Sequence, residues 1–235
     1  MGNTINETNK YEYIVMIKYV DWNLISYADA WKQQQEVFDA MIAAKMDKQP
    51  TADMQQIVYC EHPHVYTLGK HGKPSNMLVN EEFLKKINAS FYPIDRGGDI
   101  TYHGPGQIVG YPLLDLENFN LSLKDYIYNI EECIIRTLAH YNIEGDRLAG
   151  ATGVWLEKDS PRARKICAIG VRASRYVTMH GFAFNVNTDL KYFSYINPCG
   201  FVDKGVTSLQ QELGHEVPLS EVKDLLTKNF DSLLG

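Results

Sequence analysis

From Arg96 to Gln107 the chain reads Arg-Gly-Gly-Asp-Ile-Thr-Tyr-His-Gly-Pro-Gly-Gln, and no other stretch gathers so much special chemistry. Gly97 and Gly98 can take positive φ and let a ligand approach bare main chain. Arg96 and His103 flank that backbone as hydrogen-bond donors, with the β-prone triplet Ile100-Thr101-Tyr102 between them. A strand bounded by two turns would explain the same residues. The stretch is neither a Walker loop nor a dinucleotide fingerprint, because it lacks Gly-Lys-Ser/Thr and does not read Gly-x-Gly-x-x-Gly.

Cys199 stands between Pro198 and Gly200. Proline fixes φ before the thiol and glycine permits a sharp turn after it. Such a turn presents the thiol outward, with backbone N–H groups near enough to meet an oxyanion. On the residues alone two readings stand side by side, a nucleophile or a small buried hydrophobe. Cys167 follows Lys165 by two positions, so on a strand the pair would share a face. It lacks the turn that would expose it. His62 and His64 are also two apart, but no third ligand is evident and no metal is expected.

These residues need elements to hold them. Strands are expected over 13–20, 56–60, 65–68, 91–94, 108–116, 154–156, 165–171 and 177–186, from β-branched and apolar runs bounded by turn residues. Helices are expected over 24–45, 80–87 and 122–141, then over 206–212 and in a final segment capped by Ser220. In the third of these, Ser122 and Asp125 resemble a capping box. Its stripe is Leu123, Tyr126, Ile127, Ile130, Cys133, Ile134 and Leu138, which makes Cys133 core packing. Strands cluster centrally and helices flank them unevenly, which predicts an α+β fold with helices against a mixed or antiparallel sheet. No repeat or linker is visible, so residues 11–235 are expected to form one domain behind a disordered polar tail over 1–10.

The chain has 235 residues, of which 45% are hydrophobic and 22% charged, an ordinary globular balance. No apolar run has the length of a membrane span, and the polar start lacks a signal peptide's apolar core. Four scattered cysteines without a Cys-x-x-Cys pair suit a reducing cytoplasm. A net charge of −6 argues against wholesale nucleic-acid binding.

The segment Arg96–Gln107 resembles the signature of the lipoyl(octanoyl) transferases. The likeness extends to Glu61-His-Pro-His-Val-Tyr-Thr-Leu-Gly69, Lys165-Ile-Cys-Ala-Ile-Gly-Val-Arg172, His180-Gly-Phe-Ala-Phe-Asn-Val186 and Asn197-Pro-Cys-Gly200. His64 departs from it, standing where the family usually has the second of two prolines. The resemblance implies the biotin/lipoate protein ligase fold. It implies transfer of octanoyl from acyl carrier protein to a lysine of lipoyl domains, in 2-oxoacid dehydrogenases and in the glycine cleavage H protein, without a cofactor. It makes Cys199 the acyl-accepting nucleophile and Lys165 the group that lowers its pKa and moves protons. On sequence alone, Lys165 could equally belong to the solvated basic run Arg162-Ala-Arg164-Lys165. The implied acyl site is Arg96, Gly97, Gly98, Asp99, Ile100, Thr101, Tyr102 and His103, with Ala168, Ile169, Gly170, Gly181, Phe182 and Ala183.

Two rivals remain. One is an ATP-dependent lipoate or biotin ligase of the same fold, whose adenylation chemistry needs no thiol. The other is an inactive acyl-binding module, which has no use for a Lys165/Cys199 pair. Two further expectations concern how the site works. Gly97, Gly98 and Gly181 should carve the acyl slot, so that Gly181→Val blocks acylation in a folded protein. Some of Arg162, Arg164, Arg172 and Arg175, with Lys70 or Lys73, should form the basic patch that receives an acidic carrier.

Overall fold

A computed structural model describes residues 15–197 and 204–235. The expected disordered tail over 1–10 lies outside the described residues, and so does Cys199.

The chain begins with β1 (Lys18–Leu24), α1 (Tyr27–Met46), β2 (Gln56–Glu61) and β3 (Val65–Leu68), followed by the short α2 (Glu81–Lys86) and β4 (Ser90–Pro93). Then come β5 (Ile100–His103), β6 (Gln107–Leu113), α3 (Leu123–His140), β7 (Asp146–Arg147) and β8 (Gly153–Leu156). The long pair β9 (Arg164–Ser174) and β10 (Val177–Asn185) precedes β11 (Gly205–Val206), α4 (Leu209–Leu213) and α5 (Leu219–Leu234). The main sheet runs β1-β2-β6-β10-β9-β8-β7, with β11 beside β9. Its β1–β2 and β11–β9 pairs are parallel and its other pairs antiparallel, which makes the sheet mixed. A second sheet, β4-β3-β5, carries the glycine-rich segment at the edge of β5.

Strand alternation builds two cores. Ile57 and Tyr59 face α3 and α5, while Val58 and Cys60 on the same strand face α1. On α3, Tyr126, Ile130, Cys133, Ile134 and Leu138 are buried as the stripe predicts, and the Ser122–Asp125 capping box forms. Leu123 is the exception at 41% exposed. Cys133 is core, its Sγ 3.4 Å from the Leu226 carbonyl oxygen. Together these make a single α+β domain. Among the described residues no helix is long and apolar enough to cross a membrane.

Several boundaries differ from expectation by a few residues. The helix expected over 206–212 starts only at Leu209, because Val206 pairs with Lys165 in β11. Two more have a clear cause. The first strand is Lys18–Leu24, because its length is set by parallel pairing with Gln56 onward and runs through polar Asp21 and Asn23. The last helix starts at Leu219 after Pro218, and no side chain caps it; Ser220 is already inside its first turn. Proline here ends the preceding extended segment, a signal that Ser220 masked.

Candidate active site

A cavity of about 660 Å³ opens along β9 and β10, within the usual size of a small-molecule site. Residues 96–101 and His103 form one wall, and strand residues 168–170 and 181–183 another, with Lys165 at the β9 end. Tyr102 is a correction. Its side chain is fully buried off the cavity, hydrogen bonded to His64 Nδ1 at 2.7 Å. His64 also stacks on Tyr192 with ring centroids 4.0 Å apart, so it packs an aromatic cluster under the second sheet.

Backbone contacts hold the glycine segment on the main sheet. Gly97 N–H donates to the Val171 carbonyl at 2.9 Å. A Cβ on Gly170 would lie 2.9 Å from the Gly97 oxygen, so this close approach needs glycine at 170. Gly98 has φ +86°. Arg96 is buried, and its guanidinium donates to the Thr67 carbonyl at 2.7 Å, to Thr67 Oγ1 at 2.9 Å and to the Gly97 carbonyl at 2.9 Å. It therefore ties the loop down as well as facing the cavity. Residues 69–71 lie along the same loop through Gly69 N–H to Asp99 O, Lys70 N–H to Arg96 O and His71 N–H to Gly98 O, all between 3.0 and 3.2 Å.

Lys165 and Cys167 part company. Val154 pairs with Cys167 and Trp155 with Lys165, which leaves Ile166 as an extra residue, a β-bulge. The bulge breaks the alternation that would have put both side chains on one face. Lys165 lines the cavity, while Ile166 and Cys167 are fully buried in the main core. Burial pushes the Cys167 thiol well above its ordinary range, which keeps it protonated. Lys165 Nζ donates to the Thr152 carbonyl at 3.1 Å and sits 4.7 Å from the centre of the Trp155 ring. Phe193 and Lys204 also line the cavity. Between them in the sequence comes Cys199.

His103 is neutral in this setting. Burial, with His62 and Arg96 nearby, lowers it to about 3 despite its bond to Gln107. Its Nδ1 donates to Gln107 Oε1 at 2.9 Å, which leaves Nε2 as the acceptor, 3.4 Å from Thr67 Oγ1. Gln107 in turn donates to Asn185 Oδ1 and to the Tyr102 carbonyl. At the far end of the cavity His180 takes φ +59° and bonds Asp95 at 3.0 Å, and Asp95 also pairs with Arg172.

The model of the family described as the lipoyl protein ligase A/B catalytic domain matches residues 26–231. The chain belongs to this family. The octanoyltransferase of Bacteroides thetaiotaomicron is 63% identical over 216 residues, covering 92% of this chain and 94% of that one. The octanoyltransferase of Parabacteroides distasonis is 55% identical over 218 residues, covering 91% and 98%. Among solved structures, the bi-partite lipoate protein ligase of Thermoplasma acidophilum superposes with a TM-score of 0.67 at 14% identity, covering 92% of this chain and 83% of that one. At that identity the likeness is one of fold.

Two site expectations need correcting in this lipoyl ligase A/B domain. A Cβ on Gly181 would meet the Gly110 carbonyl oxygen at 2.1 Å, not the cavity, so this glycine serves strand packing and Gly181→Val would damage the fold. The expected basic patch narrows: Arg164 is held by Glu212 and Glu157, Arg172 by Asp95, and Arg162 by Glu157, while Arg175 stays exposed. Lys70, His71 and Lys73 are exposed, and His71 lines the cavity. Sequence reasoning also passed over Trp155, Thr152 and Glu131. Glu131 carried a signal, since it falls on the buried face of α3 with Ile134 and Leu138.

Proposed function

We propose that the chain transfers an octanoyl group from the phosphopantetheine thioester of an acyl carrier protein to a lysine of lipoyl domains, through an acyl-Cys199 intermediate. The observation that carries this reading is Lys165, a cavity lysine placed by a bulge at one end of an apolar-walled groove. It occurs in a chain 63% identical to an octanoyltransferase. Ile169, Phe182 and Ala183 offer the acyl chain apolar contact, worth about 0.8 kcal/mol per buried CH₂ before ordering costs.

In the first step the Cys199 thiolate attacks the thioester carbon. The bond from that carbon to the pantetheine sulfur breaks, and the Lys165 ammonium gives the departing sulfur its proton. In the second step a neutral acceptor lysine attacks acyl-Cys199, the carbon–sulfur bond breaks and an amide forms. Lys165, now neutral, takes the proton that the amine sheds. A thioester is exchanged for a thioester and then for an amide, so no ATP is needed. Neutral His103, whose acceptor Nε2 lies 3.4 Å from Thr67 Oγ1, is a further base within the cavity walls.

The test is to incubate the protein with octanoyl-carrier protein without ATP and weigh it intact. An octanoyl adduct, lost again when a lipoyl domain is added, is expected. Octanoylation of the lipoyl domain only from free octanoate and ATP would make the chain a ligase, the activity named for its Thermoplasma fold relative.

A further inference from the structure

We infer that Glu131 is a positioning residue for Lys165, acting through the single peptide unit that joins Thr152 to Gly153. The inference rests on the acid–base role proposed for Lys165. The Thr152 carbonyl accepts from Lys165 Nζ at 3.1 Å, and the Gly153 N–H donates to Glu131 Oε1 at 3.0 Å. These two groups belong to one peptide plane. The described residues contain no cis peptide, so the carbonyl and the N–H point in opposite directions. Lys165 and Glu131 therefore hold the same plane from its two sides.

The plane needs such a clamp. Gly153 has φ +123°, a region open to glycine, and a Cβ there would lie 2.4 Å from the Cys167 carbonyl oxygen. The residue must be glycine to fit against β9, and glycine by itself resists rotation least. Glu131 supplies the missing rigidity. It is buried on α3, and its other oxygen accepts from Arg147 Nε at 3.1 Å, which offsets the cost of burying the charge. A carboxylate on a buried helix face is costly unless paired, and here both oxygens are engaged. A carboxylate drawing on the N–H also polarises the carbonyl across the same amide, which strengthens its hold on an ammonium.

Four variants separate a clamp from an ordinary ion pair: Glu131→Met, Glu131→Gln, Glu131→Asp and Arg147→Met. Each is octanoylated on the enzyme first, and single-turnover transfer to a lipoyl domain is then timed, with the acceptor concentration dependence and the melting temperature. Glu131→Met fills the space but cannot accept the Gly153 N–H. It should slow transfer about 10- to 100-fold at saturating acceptor, with the half-saturating concentration little changed, as a small misplacement of a catalytic group does. Glu131→Gln keeps the acceptor and the reach, and should stay within about threefold of wild type. Arg147→Met breaks the ion pair but leaves the clamp. It should lower the melting temperature and also stay within about threefold in rate. If Glu131→Met does not fold, the comparison passes to the milder pair: Glu131→Asp keeps the charge but is one methylene short, and must be slow where Glu131→Gln is fast. Wild-type transfer by Glu131→Met, equal rates for Asp and Gln, or an Arg147→Met as slow as Glu131→Met would each overturn the inference. Lys165→Ala is run alongside. If it transfers normally, the acid–base reading falls and takes the clamp with it; if it is slow while Glu131→Met is fast, only the clamp falls.

Discussion

Lys165 is asked to do two things, and one substitution divides them. Arginine keeps the positive charge but cannot act as a base near neutral pH. Lys165→Arg should therefore still form acyl-enzyme from octanoyl-carrier protein, yet pass the acyl group on at least about 100-fold more slowly, the low end of ordinary general acid–base contributions. Transfer at the wild-type rate from preformed acyl-enzyme would reduce Lys165 to an electrostatic support and turn attention to His103 Nε2. The thiols divide as cleanly. Cys199→Ala should abolish the octanoyl adduct seen by intact mass, whereas Cys167→Ala should keep the adduct and lose stability instead. A buried cysteine contributes packing, and Cys167 is fully buried among Ile166, Val154 and Cys133. Peptide mapping that placed octanoyl on Cys167 would refute this assignment. The bulge at Ile166 is why sequence spacing alone put the two groups together: period-two alternation is a reliable guide only while the register holds.

At the level of elements, the site depends on a loop lying against a strand, and two glycines report on it differently. Gly170→Ala brings a methyl to 2.9 Å from the Gly97 oxygen, so the glycine segment must lift. The octanoyl adduct should form several-fold more slowly with little change in melting temperature. Gly181→Ala instead drives a methyl toward the Gly110 carbonyl inside the sheet, and should cost about 1–3 kcal/mol of stability. Equal thermal losses in both would mean that the segment is no looser than the sheet. His62 and His103 add a pH effect. Burial lowers His62 to about 4 and His103 to about 3, so both stay neutral in the folded protein when the unfolded chain begins to protonate them near pH 6.5. Their folded pKa values are depressed, so stability is full above about pH 6.5 and is lost as pH falls toward the folded values, by roughly 1.4 kcal/mol per pH unit for each. Urea midpoints measured from pH 7.5 down to 5 should fall accordingly, and more gently in His62→Gln; an unchanged slope in that variant would sink the account. Much of this level was legible beforehand. The Ser122–Asp125 cap, the α3 stripe and the β9–β10 pair follow from local pattern. What was not legible is which glycines face a ligand and which face a neighbouring strand, because that is set by tertiary approach and leaves no mark on spacing.

For the molecule as a whole, a net charge of −6 must still admit an acidic carrier. With Arg164 and Arg172 paired, Lys70 and Lys73 are exposed cations flanking cavity-lining His71, on the segment that rides the glycine loop. Reversing both to Glu should slow adduct formation more at low salt than at high salt, since rim charges act chiefly on association rate and are screened. An equal slowing at both salts would argue against steering there. Arg164→Glu, by contrast, should show itself as lost stability near α4. Finally, the cavity is assembled from both ends of the chain. Tyr27 on the first helix and Val206 on the last short strand share its walls, and the Phe182 ring beneath it packs 6.0 Å from Phe230 on the final helix. During synthesis, then, a polypeptide that has emerged only as far as β10 still lacks the Val206 wall of the acyl cavity. Without α5, the lower side of β9 and β10 is left unfilled, because Phe182 loses Phe230 and the main core loses Val222 and Leu226.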